Sequence, residues 1–405
     1  MNLALQVVDD ASATDDQIIE DILRTLRELL GMKVGFISEF VDGKRVFRHV
    51  QADESFQPIC AGQSDPLPMS YCKRVADGVT PELLRDASQE PSVQDLAATR
   101  DLPVGAHISV PIRFSDGQLY GTFCCFSDQP DSSLTERDLT TFRLFASFAG
   151  NILERQVAEE RTREKLAGRI RDVIAREQFS VHYQPIVNVS ESRLVGHEAL
   201  ARFAAEPLRS PDQWFHEALL VGLNEELELA VISEALAALP LLPDDSYLAL
   251  NVSPETLLLG NVGNQLQDYP LERIVLEVTE HSSVTDYESI ERTLAPLRAQ
   301  GLRLAVDDAG AGYASFRHIL KLKPDIIKLD GTLVQEIDKD PSIQALAAAL
   351  VYFAGQTGAK VVAECVETPS ELNVLRRLNV NKVQGYLIGR PQPLSHYQAA
   401  GFWAP

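Results

Sequence analysis

The sequence predicts two domains of different fold class, an α+β domain followed by an α/β barrel of the (β/α)8 kind. The chain has 405 residues, more than one hydrophobic core usually holds. In its first part, two strand-turn-strand patterns lie between two amphipathic helical patterns. In its second part, short apolar runs recur at intervals close to the roughly 30 residues of a βα unit, and each ends in a polar or charged residue.

The first domain is predicted over residues 15–152. An amphipathic helix is followed by two strands around the Asp-Gly turn at residues 42–43, and the same hairpin pattern recurs around the Asp-Gly pair at residues 116–117. A second helix follows, with Thr135 and Asp138 at the spacing of a capping pair. Helices at both ends of paired strands predict an α+β module.

The second domain is predicted from seven apolar runs whose last residues carry polar or charged side chains. These terminal residues are Glu198, Asn251, Glu277, Asp307 with Asp308, Lys328, Glu364 and Gln384. Continuous apolar runs are typical of strands that are buried on both faces. Because the carboxyl ends of the strands of a (β/α)8 barrel converge on one face, where catalytic residues lie, we expect these side chains to face a common point.

The composition limits the partners and the location of the protein. The formal charge is −21, and no Lys/Arg-rich run indicates a polynucleotide-binding surface. An N-terminal tail, residues 1–14, lacks a basic segment followed by an apolar core, and no run of about 18 apolar residues predicts a membrane-inserted helix. We therefore expect a cytoplasmic protein. Its five cysteines form no CxxC pair, which predicts reduced thiols rather than a disulfide framework.

Three segments of the first domain carry a family pattern: SVPI at Ser109–Ile112, YGTFCCF at Tyr120–Phe126, and the helical segment LTERDLTTFRLFA. With them the domain resembles the GAF family of small sensory domains. The resemblance implies either a pocket for a small molecule, such as a cyclic nucleotide or a tetrapyrrole, or a role in dimerisation only, and the ligand is unknown. Two interpretations are open for Cys72, Cys124 and Cys125. They are either chromophore or redox attachment points, or thiols buried in a core.

Residues 153–176 predict a long, charged helix that connects the two domains. Leu166, Ile170 and Val173 belong to a thin apolar stripe on this helix. Such a helix either dimerises and couples the sensor to the barrel, or it is a solvated linker helix within one chain.

Residues 177–405 carry an ordered set of motifs at the predicted strand ends. The set comprises YQPIV at Tyr183–Val187, EALAR at Glu198–Arg202, NVSP at Asn251–Pro254, EVTE at Glu277–Glu280, DDAGAGY at Asp307–Tyr313, KLD at Lys328–Asp330, AECVE at Ala363–Glu367 and QGYL at Gln384–Leu387. This set resembles the EAL family of cyclic-di-GMP phosphodiesterases over Gln178–Pro393. The resemblance implies a TIM-type barrel that hydrolyses cyclic di-GMP to linear pGpG.

The strand-end residues also suit this chemistry. Hydrolysis of a phosphodiester requires an activated water and neutralisation of negative charge, and two hard divalent cations do both. Mg²⁺ and Mn²⁺ prefer carboxylate and amide oxygens. The resemblance assigns a first metal to Glu198, Asn251, Glu277 and Asp307, and a second metal to Asp307, Asp308 and Glu364. It makes Lys328 and Glu364 catalytic, with Lys328 orienting the attacking water and Glu364 as a general base, and leaves open which of them assists the proton transfer most.

Further positions follow from the resemblance. The implied substrate-binding residues are Gln184, Leu200, Arg202, Asp330, Glu367 and Gln384. Arg202 offers a guanidinium fork for a phosphate oxygen, and Glu280 is implied to anchor the loop after Asp308. Two structural alternatives remain, in which Asn251 is a helix N-cap and Lys328 pairs with Asp330.

The chain departs from the family pattern near the site. The usual loop at the paired aspartates reads DDFGTG, whereas this chain has Ala309 and Ala311 in place of the Phe and the Thr. Cys365 replaces the usual Gly after Glu364. Neither departure removes a metal ligand, so we expect effects on regulation or basal rate before effects on chemistry. Two functions compete, a sensor-regulated phosphodiesterase that forms a homodimer through the barrel and the connecting helix, and a non-catalytic cyclic-di-GMP receptor that signals to a partner protein. The complete metal set favours the enzyme.

Overall fold

The computed structural model describes residues 14–278, 286–309 and 313–400. The chain divides into two units, Met1–Thr162 and Arg163–Pro405. Among the described residues, no helix combines the length and the apolar character that a membrane crossing requires.

The first unit contains an antiparallel sheet in the order β3-β2-β1-β6-β5-β4. Its strands are β1 Val34–Val41, β2 Lys44–Ala52, β3 Ser64–Pro66, β4 Leu83–Leu84, β5 His107–Arg113 and β6 Leu119–Phe126. Its shorter helices are α1 Asp15–Leu29, α2 Tyr71–Ala76 and α3 Ala97–Asp101, with 3-10 turns at Leu67–Met69, Ala87–Gln89 and Pro91–Val93.

Both predicted hairpins are confirmed. β1 pairs with β2 around Asp42 and Gly43, whose φ angles of 50° and 72° are those of a tight hairpin turn. β5 pairs with β6 around Gly117, whose φ is 84°. The sheet buries apolar side chains on both faces. One face packs in a core that includes Ile22 of α1, and the other face packs in a core that includes Cys72 of α2.

The two helices predicted at the end of the first domain and in the connector are one helix, α4 Glu136–Ala175. Thr135 and Asp138 exchange hydrogen bonds at its first turn, as the capping pattern predicts. At the other end of α4, Ile170 and Val173 are buried in a core with Trp214. This part of the apolar stripe is therefore buried within the chain and not solvated, and dimerisation through the connecting helix stays a prediction.

The second unit is a sheet in the order β14-β13-β12-β11-β10-β9-β8-β7-β15, closed by pairing of β14 with β7. Its strands are β7 Phe179–Asn188, β8 Arg193–Phe203, β9 Tyr247–Val252, β10 Ile274–Val278, β11 Arg303–Ala309, β12 Ile326–Leu329, β13 Lys360–Ala363, β14 Lys382–Val383 and β15 Gln392–Pro393. Its helices are α5 Pro211–Val221, α6 Asn224–Leu236, α7 Pro254–Leu259, α8 Val262–Leu266, α9 Tyr287–Arg298, α10 Tyr313–Leu322, α11 Pro341–Thr357, α12 Pro369–Arg377 and α13 Leu394–Ala400, with 3-10 turns at Leu239–Leu241, Leu271–Arg273 and Gly331–Leu333.

The barrel differs from a uniform (β/α)8 arrangement at its first strand. β8 to β14 pair in parallel, as the strand-helix alternation predicts. β7 is antiparallel to both of its barrel neighbours, β8 and β14. The cause is local, because the short turn between β7 and β8 makes a hairpin and leaves no room for the crossover that parallel strands require.

Candidate functional site: a carboxylate and lysine cluster at the barrel mouth

The side chains at the barrel mouth face inward because of the two-residue period of the strands. Ala249, Val275, Ala305, Ile326 and Val362 belong to the apolar cluster that fills the barrel interior. Two residues further along the chain in each case are Asn251, Glu277, Asp307, Lys328 and Glu364, of which Glu364 lies directly after β13. Since alternate residues of a strand share a face, these side chains point to the barrel axis above the apolar filling.

Glu198 does not end its strand, contrary to the sequence interpretation. β8 continues to Phe203, so that Glu198 lies within a regular ladder, opposite Gln184 of β7 and Ala249 of β9. Its side chain is 6% exposed. The antiparallel first strand therefore brings a glutamine next to this carboxylate.

A β-bulge places the two consecutive aspartates in the same site. The ladder between β11 and β12 passes from Val306 opposite Ile327 to Ala309 opposite Leu329, which leaves one extra residue in β11. Asp308 has a φ of 52°. In a regular strand, Asp307 and Asp308 would point to opposite faces, whereas both here have an oxygen within 4.8 Å of an oxygen of Glu364. The sequence shows the Asp pair but gives no signal for the bulge.

Lys328 lies at the centre of the site and is 1% exposed. Its Nζ is 2.6 Å from Glu277 Oε2 and 2.6 Å from Glu364 Oε1. It is 3.0 Å from Asp307 Oδ1 and 3.5 Å from Glu198 Oε1. The predicted alternative, a Lys328–Asp330 pair, is wrong, because the Asp330 carboxylate instead accepts hydrogen bonds from the backbone and hydroxyl of Thr332.

Two amide side chains donate to Glu198, and a third contacts one of them. Asn251 Nδ2 donates to Glu198 Oε1 at 3.0 Å, and Gln384 Nε2 donates to Glu198 Oε2 at 2.5 Å. Gln384 Nε2 also donates to Gln184 Oε1 at 3.0 Å. The alternative that Asn251 is an N-cap is wrong, because Ser253 caps α7. The resemblance implies both glutamines as substrate contacts. In the structure, Gln384 holds Glu198 directly, and Gln184 contacts Gln384.

The acidic residues form two groups that share Asp307. In one group, oxygens of Glu198, Glu277 and Asp307 lie within 4.8 Å of one another, and in the other, oxygens of Asp307, Asp308 and Glu364 do. We call these five carboxylates, together with Lys328, the barrel cluster. Five carboxylates against one ammonium leave a strong excess of negative charge when all are ionised.

Burial and charge shift the protonation of this cluster. Burial raises the pKa of Glu277 and of Glu364 well above the usual range, and the neighbouring carboxylates add to the rise despite Lys328. Burial would lower the pKa of Lys328, but the surrounding carboxylates outweigh it, and this pKa is raised well above its usual range. Lys328 therefore remains an ammonium, and cations from outside would relieve the repulsion among the carboxylates.

Other predicted residues are not part of the barrel cluster. Arg202 is half-buried and donates to the carbonyl oxygen of Ala201, and no carboxylate of the described residues lies within ion-pair distance of it. Leu200 is half-buried and Glu367 is exposed. Glu280 lies outside the described residues, so its predicted role in the loop after Asp308 stays a prediction.

Comparison with known proteins identifies matching families and relatives of this chain. A family model described as the EAL domain matches residues 167–391, and one described as the GAF domain matches residues 12–154. The chain is 25% identical over 394 residues to the bifunctional diguanylate cyclase/cyclic di-GMP phosphodiesterase MucR of Pseudomonas aeruginosa, covering 94% of this chain and 56% of MucR. It is 30% identical over 253 residues to the probable cyclic di-GMP phosphodiesterase PdeA of Escherichia coli, covering 60% of this chain and 34% of PdeA.

A solved structure is similar as well. The PaMucR phosphodiesterase, in its c-di-GMP complex, matches with a TM-score of 0.52 at 30% identity, covering 57% of this chain and 99% of that chain. The chain spans only 34% to 56% of the length of the two curated relatives. The match to the EAL model nevertheless extends over more than half of the chain and includes every residue of the barrel cluster. The chain therefore belongs to the EAL family and carries a GAF domain before its EAL domain.

Proposed function

We propose that this chain is a metal-dependent phosphodiesterase that hydrolyses cyclic di-GMP to linear pGpG. The observation that carries the proposal is the pair of carboxylate groups that share Asp307 around the buried ammonium of Lys328. A buried excess of carboxylates is costly unless cations compensate it. The names of the relatives supply the substrate, because MucR and PdeA are described as cyclic di-GMP phosphodiesterases.

The residues fit two hard divalent cations, Mg²⁺ or Mn²⁺. The donors are carboxylate oxygens and the amide of Asn251, with no thiolate or imidazole within the two groups. Glu198, Asn251, Glu277 and Asp307 would hold one ion, and Asp307, Asp308 and Glu364 the other. When bound, the ions lower the pKa of water and neutralise charge on the phosphate.

The protein's own groups divide the remaining work. Lys328 retains its protons because four carboxylates surround it, so it donates hydrogen bonds and orients the attacking water. Glu364 follows the end of β13 and is more exposed than Glu277, so its carboxylate can reach a water at the mouth and accept its proton. This division favours Glu364 as the general base.

Substrate contacts are proposed for residues outside the cluster. The Arg202 guanidinium has no carboxylate partner among the described residues and can bind a phosphate oxygen. Asp330, Glu367 and Leu200 complete the proposed nucleotide contacts, while Gln184 and Gln384 hold Glu198 in place. The GAF domain is proposed to regulate hydrolysis, in a homodimer, with α4 as the element that belongs to both units.

The test is an assay of the purified full chain with cyclic di-GMP and Mn²⁺ or Mg²⁺, with separation of pGpG. EDTA should abolish hydrolysis and added Mn²⁺ restore it. Glu198→Gln should lower kcat/KM by at least about a hundredfold, because even residues that support metal ligands contribute at this scale. The matched control is Glu291→Gln, which changes an exposed carboxylate on α9. Binding of cyclic di-GMP without any pGpG would reject the enzyme and identify a receptor.

A further inference from the structure

The GAF domain contains a second buried polar cluster, on the face of its sheet covered by α2. Cys72 of α2 and Cys124 of β6 are both fully buried, and Arg45 of β2 is 5% exposed. Ser109 and Thr122 complete the group. We call these five residues the thiol cluster. A guanidinium buried against one of two adjoining thiols is not required for packing, and the proposed phosphodiesterase chemistry does not use it.

The polar contacts of the thiol cluster converge on the two sulfurs. Arg45 Nη1 donates to Cys72 Sγ at 3.2 Å, and the two Sγ atoms are 3.6 Å apart. Cys124 Sγ lies 3.0 Å from Ser109 Oγ and donates to Thr122 Oγ1 at 3.2 Å. Each sulfur therefore has a defined polar environment, and each has the other as its neighbour.

The charges favour a thiolate at Cys72. Burial would raise the pKa of Cys72, but the contact with the Cys124 thiol and the charge and hydrogen bond of Arg45 outweigh it and lower this pKa. Burial and the neighbouring Cys72 raise the pKa of Cys124. Arg45 remains charged, held by its ion pair with Asp65 and packed over the ring of Phe47. One sulfur is thus the nucleophile and the other a protonated partner.

Cys125 provides an internal comparison. It is the next residue of β6, so it points to the opposite face of the sheet and packs in the apolar core with Ile22 and Phe123. It is as buried as Cys124, and burial raises its pKa. Burial is therefore shared by the two cysteines, and only the polar contacts distinguish them.

We propose that Cys72 and Cys124 are a redox-active dithiol that a hydroperoxide converts to a disulfide. The Cys72 thiolate attacks the terminal peroxide oxygen, the O–O bond breaks, and Cys72 becomes a sulfenic acid while the alkoxide or hydroxide leaves and is protonated. Cys124 then attacks the Cys72 sulfur, the S–O bond breaks, and water leaves with the Cys124 proton. In total, two thiols and one hydroperoxide give one disulfide, one alcohol or water, and one water.

The reaction requires a small movement. The sulfurs must approach from 3.6 Å to the roughly 2.05 Å of a disulfide bond. Cys72 lies on α2, a helix of 6 residues that can open locally to admit a small oxidant. Oxidation removes the thiolate beside Arg45 and leaves Asp65 as its anionic partner, so it changes both the position of α2 and the charge balance of this core.

The experiment uses the reduced full chain treated with hydrogen peroxide under native conditions, then alkylated and mapped without reduction. We expect a linked peptide pair containing Cys72, with the mass of two hydrogens lost. Cys124→Ser should abolish the link, and the matched control Cys125→Ser should keep it. Arg45→Met should raise the Cys72 pKa, and the link should form about tenfold more slowly for each unit by which that pKa then exceeds the assay pH.

The wild-type map alone also decides the proposal, in case a substitution prevents folding. The Cys72 and Cys124 thiols should be lost at least about tenfold faster than that of Cys125. Loss of all three at one rate, only on unfolding, would show a packed core and overturn the proposal. A link that survives Cys124→Ser and is lost in Cys125→Ser would overturn it equally.

Discussion

Each domain buries charge next to its sheet, but the two clusters balance it in opposite ways. The barrel cluster has five carboxylates around one ammonium. In the thiol cluster, the guanidinium of Arg45 faces Asp65 and the sulfur of Cys72, so positive and negative charge are nearly matched. Buried charge is tolerated only where partners compensate it. The barrel cluster therefore has an excess of carboxylates that the proposed divalent cations would compensate, whereas the Arg45 guanidinium is compensated by groups of its own domain.

The largest predicted change in stability comes from removing the ammonium of the barrel cluster. Lys328→Met removes the ammonium that contacts four carboxylates and should lower the free energy of unfolding in EDTA by about 4 kcal/mol. Mn²⁺ should restore most of this loss, because bound cations replace the missing charge. Urea unfolding followed by Trp fluorescence measures it, since Trp214 is buried in the second unit.

The matched control for this change is Lys339→Met. Lys339 is exposed and pairs with Glu336 on the surface, so the free energy of unfolding should change by less than about 0.5 kcal/mol. An equal loss of unfolding free energy for Lys328→Met with and without Mn²⁺ would contradict the proposal that divalent cations compensate the charge of the barrel cluster.

The second prediction concerns the pH dependence of the stability of the GAF domain. His107 is buried beside Tyr71, and burial together with the charge of Arg45 lowers its pKa to about 3. The unfolded chain protonates His107 near its usual pKa of about 6.5, whereas the folded domain does not. Stability is therefore lost as the pH falls below 6.5, by about 1.4 kcal/mol per pH unit, until the folded pKa is reached.

Hydrogen exchange of β5 and β6 at several pH values, corrected for intrinsic rates, measures this loss. His107→Gln should weaken the pH dependence, and His396→Gln, at an exposed position of the barrel, should leave it unchanged. An unaltered dependence in His107→Gln would assign the acid sensitivity to another group.

The smallest predicted change in stability concerns backbone strain at two residues of the barrel mouth. Asp308, a member of the barrel cluster, and Cys365, which follows Glu364, have φ angles of 52° each. This conformation costs a non-glycine residue about 1 kcal/mol, so Cys365→Gly should stabilise the chain by about that amount while hydrolysis is retained. Urea unfolding measures it, and Cys60→Gly, at an exposed cysteine without a positive φ, is the control. No gain at position 365 would mean that the strain is compensated by contacts of the thiol.

Much of the site is predictable because strand patterns are local. Apolar runs and their two-residue period are sufficient to predict that Glu277, Asp307, Lys328 and Glu364 lie on one inward-facing ring. The hairpins of the GAF domain are equally predictable from their Asp-Gly turns. Glu198 is predicted at a strand end but lies inside β8, which continues to Phe203. The prediction is wrong because a polar residue that ends an apolar run does not always end the strand.

What the sequence by itself determined is the order of domains and the set of oxygen donors that one barrel face collects, since both follow from local periodicity and residue type. The tertiary structure decided which of them meet. Examples are the bulge that turns Asp307 and Asp308 to one side, the ammonium of Lys328 between carboxylates of several strands, and the approach of Cys72 to Cys124 across 52 positions. These contacts depend on how distant strands register and pack, and short-range patterns carry no information about such pairings.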